Sequence, residues 1–178
     1  MGTRNLAFSL IKSPNRIVKM GVIDLLKNSA RSAADVLLDS LCKGGENDWM
    51  PTCSDEFVVE SQPSNSASKI LSFVLMTYFR TFDEVSGNPV RPFRFMAAGQ
   101  KFKLYPAVFE QMRPETYEDR KRTAQQMAMK VFEENDPQLV QFYRGQNPKR
   151  KTDLADAIVQ GCQHIKEKEE KAKKKKTK

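Results

Sequence analysis

Phe57-Val58-Val59 is a short, uninterrupted apolar run closed by Glu60-Ser61-Gln62-Pro63, and it constrains the fold more than any other stretch of the chain. Bounded by turn residues, such a run predicts a central strand buried on both faces, which requires helices above and below it. Glu60 then emerges at the carboxyl end of that strand, the edge of an open α/β sheet where ligands bind. A Glu at a strand end is structural more often than functional, so Glu60 alone decides nothing.

The neighbouring segments supply the layers. Residues 3–11 alternate weakly, turn at Lys12-Ser13-Pro14-Asn15 and return as an apolar, β-rich stretch over 16–26, which predicts a hairpin. Ala30, Ala33, Ala34, Leu37, Leu38 and Leu41 recur at helical spacing before Gly44-Gly45. Ser64-Asn65-Ser66 caps a helix over 67–82 so rich in apolar residues that most of its faces should be covered, by the sheet or by a second copy. A strand over 92–98 leads into a basic loop, Gly99-Gln100-Lys101-Phe102-Lys103. A long helix over 117–134 carries Ala124, Met127, Ala128, Val131 and Phe132 on its inner face, and one or two further helical turns follow over 138–144. The order predicts an α/β fold, a mixed sheet flanked by helices.

The last helix carries the chemistry. Leu154, Ile158, Cys162 and Ile165 recur at helical spacing, and Thr152 is placed to cap a helix starting near Asp153. Asp153 and Asp156 then lie on one face, one above the other. Like charges held together at the edge of a core repel, and binding a divalent cation is the function that rewards that cost. The alternative is plain: acids in a first helical turn complement the helix dipole, which accounts for most such pairs. Glu60 and the aspartates are far apart in sequence, yet an α/β fold allows them to meet at one sheet edge. Three carboxylates flanked by lysines and arginines suit two-metal phosphodiester hydrolysis, which needs no histidine, cysteine or serine nucleophile. His164, the sole histidine, lies well inside the last helix and reads as a structural side chain.

Composition narrows the class further. No apolar run reaches the ~18 residues of a membrane span. The three cysteines fit neither a zinc spacing nor a disulfide framework, and a reducing compartment is their simplest home. The net charge is +8, of which 166–178, with eight lysines and three glutamates, contributes +5. Such a run is expected to be disordered and solvated, serving as a loose nucleic-acid arm or a targeting signal.

Four motifs then resemble, in order, those of the poxvirus and iridovirus Holliday-junction resolvases, RuvC-like enzymes with a ribonuclease H-like fold. Gly2-Thr3-Arg4-Asn5-Leu6-Ala7 resembles their first strand, and Val58-Val59-Glu60-Ser61-Gln62-Pro63 their second motif. Tyr117-Glu118-Asp119-Arg120-Lys121-Arg122 is similar to their basic helix start, and Lys151-Thr152-Asp153-Leu154-Ala155-Asp156-Ala157 to their closing acidic motif. The resemblance spans residues 2 to about 165, leaving 166–178 as a tail.

The resemblance implies a homodimeric endonuclease that nicks four-way DNA junctions with Mg2+, for which Mn2+ substitutes. It implies Glu60, Asp153 and Asp156 as metal-binding carboxylates and Lys121 near the scissile phosphate. Arg4, Asn5, Gln62, Arg120 and Arg122, with the cluster Lys149, Arg150 and Lys151, are the remaining candidates for DNA contact. A viral replication site in a host cell is the implied location, with mitochondrion and nucleus as alternatives.

One departure matters. The family's first motif begins with an aspartate two residues before its glycine, a position that falls just before Met1, so the first strand reads as shortened. The expectation therefore divides between an endonuclease and a non-catalytic junction-binding protein of the same fold. A third possibility keeps only the lysine tail as a nucleic-acid element on an unrelated α/β domain.

Overall fold

The computed structural model describes residues 5–13, 16–25, 32–42, 54–61, 67–135 and 137–176. Along the chain these form β1 (Asn5–Lys12), β2 (Arg16–Asp24), α1 (Ala33–Cys42), β3 (Phe57–Glu60), α2 (Ala67–Val85), β4 (Phe93–Met96), a 3-10 helix (Ala98–Lys103), α3 (Pro106–Met112), α4 (Tyr117–Asn135), α5 (Pro137–Gly145) and α6 (Pro148–Lys176). Strands β1 and β2 form one two-stranded sheet and β3 and β4 another. Among the described residues no helix is long and apolar enough to cross a membrane. The chain divides into two compact units, Met1–Leu6 with Val22–Ala97 and Ala7–Gly21 with Ala98–Lys178.

The first unit is built on a β-α-β crossover. Strands β3 and β4 pair in parallel, with Phe57 opposite Phe93 and Glu60 opposite Met96, and α2 supplies the connection that parallel strands require. Ser68, Leu71, Ser72, Leu75, Phe79 and Asp83 make the buried stripe of α2 at steps of three and four. The Phe79 ring stacks on Phe57 at 4.0 Å, while Ile70 and Phe73 remain exposed at 61% and 45%. Within one chain α2 is covered along this one stripe. One expectation is corrected. Strand β3 is half-buried throughout instead of covered on both sides, since its one described neighbour is β4.

A buried ion pair closes this unit. Asp83, 1% exposed, ends the buried stripe of α2 and receives Arg91 Nη2 at 2.5 Å and Nε at 2.9 Å. The Arg91 backbone amide also donates to it at 3.0 Å. The same guanidinium lies 4.7 Å from the Phe57 ring centroid and donates to Ser54 Oγ. One side chain thus joins the end of α2, the approach to β4 and the start of β3.

The second unit is a helical layer. Ala124, Met127, Ala128, Val131 and Phe132 of α4 are fully buried, as their spacing predicts, and the buried face of α6 is Leu154, Ala155, Ile158, Val159 and Cys162. Phe132 meets Tyr143 of α5 at 5.0 Å, and the Tyr143 hydroxyl donates to the Lys151 carbonyl. Gly161 lets β1 approach α6: a Cβ there would lie 2.6 Å from Ile11 Cδ1. Helix α6 continues through Lys176, where the sequence predicts a disordered run. Glutamates 167, 169 and 170 interleave with the lysines at helical spacing, and elongating an existing helix avoids the cost of nucleation.

Candidate functional site

The start of α6 differs from its sequence reading in a way that changes the meaning of its acids. Asn147 is the cap, accepting the Arg150 amide on its side-chain oxygen at 2.9 Å, and Pro148 takes the first helical position, where a missing N–H costs nothing. Thr152 is therefore inside the helix; its hydroxyl donates to the Pro148 carbonyl and accepts Gln125 Nε2 of α4 at 2.8 Å. Asp153 and Asp156 fall in the second and third turns, and the first turn holds no acid. Stabilisation by the helix N-terminus fades beyond the first turn, so the dipole no longer accounts for the pair.

Helices α4 and α6 run in the same direction. Gln125, midway along α4, meets Thr152 near the start of α6. Farther along both, burial first and the Glu134 carboxylate second push the Cys162 thiol up to about 12. Their amino ends therefore lie together. Helix α4 opens on a reciprocal cap, in which Thr116 Oγ1 accepts the Asp119 amide and Asp119 accepts the Thr116 amide, each at 3.1 Å. Behind that cap stand Arg120, Lys121 and Arg122, and beside them Lys149, Arg150 and Lys151 open α6; Arg120, Arg122, Lys149 and Arg150 are exposed. Lys121 lies 4.3 Å from the Tyr117 ring centroid and 3.4 Å from Glu118. Burial pulls its pKa down, but Tyr117 and Glu118 raise it by more, and the net shift is upward. Lys121 is thus a cation at neutral pH, suited to holding a phosphate rather than accepting a proton.

Strand β1 reaches the same end of the unit. Ser9 Oγ donates to the Ala157 carbonyl at 3.0 Å and Ile11 packs at Gly161. Two strand residues, ~6.6 Å, match four helical residues, ~6 Å, which brings Ala7 to the level of Asp153.

Asp156 has a partner that sequence reasoning missed. Lys101 Nζ lies 2.6 Å from Asp156 Oδ1, with side-chain exposures of 8% and 32%. Burial, then the Asp156 carboxylate, raises the Tyr143 phenol, which places that negative charge close to the core. Lys101 and Lys103 look alike in a stretch read as a basic loop. The 3-10 turn buries the first and exposes the second, and nothing in the sequence distinguishes them.

The other candidates are placed as follows. Glu60 is half-buried at the carboxyl end of β3, in the first unit, whereas Lys121, Asp153 and Asp156 belong to the second. Arg4, Gln62 and the Asn5 side chain lie outside the described residues. Among the described residues no group of three or more His, Cys, Asp and Glu side chains is gathered to hold a metal ion. The donors within the second unit are the two aspartates. They fit Mg2+, which prefers oxygen ligands and is commonly held by one or two carboxylates completed by water and substrate phosphate. The Lys101 ammonium already seats one positive charge on Asp156.

Neither a protein-family model nor a curated protein matches the sequence. A search of solved structures finds the crystal structure of the Fowlpox virus resolvase in complex with its substrate Holliday junction DNA. The likeness has a TM-score of 0.60 at 12% identity and covers 94% of this chain and 93% of that one. The likeness is one of fold, and the chain has the ribonuclease H-like α/β fold that the sequence predicts.

Proposed function

We propose that this chain is a structure-selective DNA endonuclease that resolves four-way junctions as a homodimer by metal-dependent phosphodiester hydrolysis. The observation that carries the reading is one end of the second unit, where Asp153 and Asp156 follow the three basic residues that open α6, beside the three basic residues in the first turns of the parallel α4. The likeness to a resolvase crystallised on junction DNA supports it.

Bound divalent cations would supply activation of water and stabilisation of the leaving oxygen. Asp153 and Asp156 would hold them through oxygen donors fixed on one helix face, and Glu60 is the third carboxylate that the sequence resemblance assigns. Lys121 neutralises the scissile phosphate, its ammonium held in place by Tyr117 and Glu118. Arg120, Arg122, Lys149, Arg150 and Lys151 grip neighbouring phosphates and orient the strand, where positioning accounts for much of the rate.

Junction binding in chelator tests the basic end separately from hydrolysis. The chain is expected to prefer a four-way junction to duplex of the same sequence. Replacing Arg120, Lys121 and Arg122 together by Ala is expected to flatten the slope of log K against log salt by about 2 to 3. An unchanged slope would place the DNA elsewhere on the surface.

A further inference from the structure

Helix α6 outruns the body of its unit. Its middle is packed, with Leu154, Ala155, Ile158, Val159 and Cys162 buried, and Ser13 at the end of β1 still donates to the Glu169 carboxylate. From 170 to 176 every residue is exposed, yet the helix holds its form through Lys176. Spacing accounts for this: Glu167, Glu169 and Glu170 each stand four residues before a lysine, at Lys171, Lys173 and Lys174, the favourable order for such pairs. Lysines in a last turn also offset the negative end of the helix dipole. The far end of α6 is therefore a rod, with five lysines and no acid over 171–176.

The charge pattern along this rod repeats. Lys149, Arg150 and Lys151 at its start return in rotation as Lys174, Lys175 and Lys176 after ~7 turns, ~37 Å along the axis. Lys171 and Lys173 lie ~33 Å beyond Lys149 and Lys151. A strand of B-form DNA presents its phosphates to the same side once per helical turn, ~34–36 Å. We infer that the two ends of α6 hold one duplex arm of the substrate at two points about one DNA turn apart, with Lys171 to Lys176 as the outer contact. The inference rests on the proposed function for the inner contact; the outer contact and its spacing are new. A charged but loose tail adds affinity on DNA of any shape, whereas a rod adds it only where an arm is long enough to reach the outer lysines. Rigidity also limits the entropy lost on binding.

Binding in chelator to four-way junctions with arms of about 6 or about 20 base pairs tests the spacing. Lys171→Gln, Lys173→Gln, Lys174→Gln, Lys175→Gln and Lys176→Gln together change exposed positions only and keep helix propensity. The chain carrying all five is expected to bind the long-armed junction about tenfold or more weakly, with a slope of log K against log salt flatter by about 2 to 3. On the short-armed junction it is expected to match the unsubstituted chain within about twofold. Inserting Gly-Gly between Glu170 and Lys171 keeps every charge but breaks the rod, and is expected to reproduce most of the long-arm loss. Unchanged long-arm affinity after the five substitutions would overturn the outer contact. An equal loss on short arms would overturn the one-turn spacing, and full long-arm affinity with the Gly-Gly insertion would overturn the rod in favour of a loose tail. If replacing Arg120, Lys121 and Arg122 leaves the salt slope unchanged while the five substitutions flatten it, the inner contact fails, and the spacing measured from it fails with it; the reverse result overturns this inference alone.

Discussion

Asp156→Asn is expected to lower the rate of metal-dependent junction cleavage by at least about a thousandfold, with junction binding in chelator remaining within about threefold of the unsubstituted chain. The substitution keeps the side chain's shape and removes its charge. Carboxylate oxygens are strong ligands for Mg2+, whereas phosphate binding by Arg120, Lys121, Arg122 and the α6 lysines would rest on charge of their own. The two readouts should therefore separate. Lys101 complicates the variant, because the carboxylate 2.6 Å from its ammonium becomes a neutral amide and breaking a largely buried ion pair from one side is destabilising. Lys101→Met combined with Asp156→Asn removes both charges and is expected to recover stability without recovering cleavage. Full cleavage by Asp156→Asn would remove this carboxylate from the metal site.

Asp83→Ala is expected to cost about 3 kcal/mol, the lower part of the range for breaking a buried pair, because Arg91 keeps some contact with water at 13% exposure. The loss takes from the Arg91 guanidinium, which lies on the Phe57 ring, the carboxylate 2.5 Å away, at the point where α2, β3 and β4 meet. The hydrogen bond from Arg91 holds the Asp83 carboxyl below its usual value, against the opposing effect of burial. A carboxylate with a lowered folded-state pKa contributes stability that is complete above the unfolded value, about 4, and is lost as pH falls through the folded one. Urea denaturation of both proteins should show a difference that is constant at neutral pH and shrinks in acid. A difference that persists undiminished at low pH would mean that packing, and not the ion pair, carries the effect.

The legible parts of the fold are those with strong periodicity. The inner face of α4 is buried residue by residue as its spacing predicts, and α5 and the hairpin fall close to their expected positions. The start of α6 was misplaced because two capping signals compete there. Thr152 stands next to the acids, but Asn147-Pro148 combines a capping side chain with a proline at the first helical position, and that pair prevails. The shift is only about one turn, yet it takes Asp153 and Asp156 out of the region where acids serve the helix dipole. Continuous apolar runs were less reliable guides. Phe57-Val58-Val59 forms the expected strand without burial on both faces, and the apolar length of α2 conceals a stripe containing Ser68 and Ser72. The shared face of Asp153 and Asp156 is readable from helical spacing. The cation facing Asp156 is not, since whether a lysine is buried in a short 3-10 turn is decided by tertiary packing.

Cleavage of an end-labelled four-way junction, with duplex of the same sequence as control and Mg2+ present or chelated, tests the central claim most directly. Paired nicks in opposing strands of the junction, dependent on Mg2+ and absent from the duplex, are the predicted result. Tight, junction-selective binding with no cleavage under any metal condition would contradict hydrolysis and leave a junction-binding protein on the same fold.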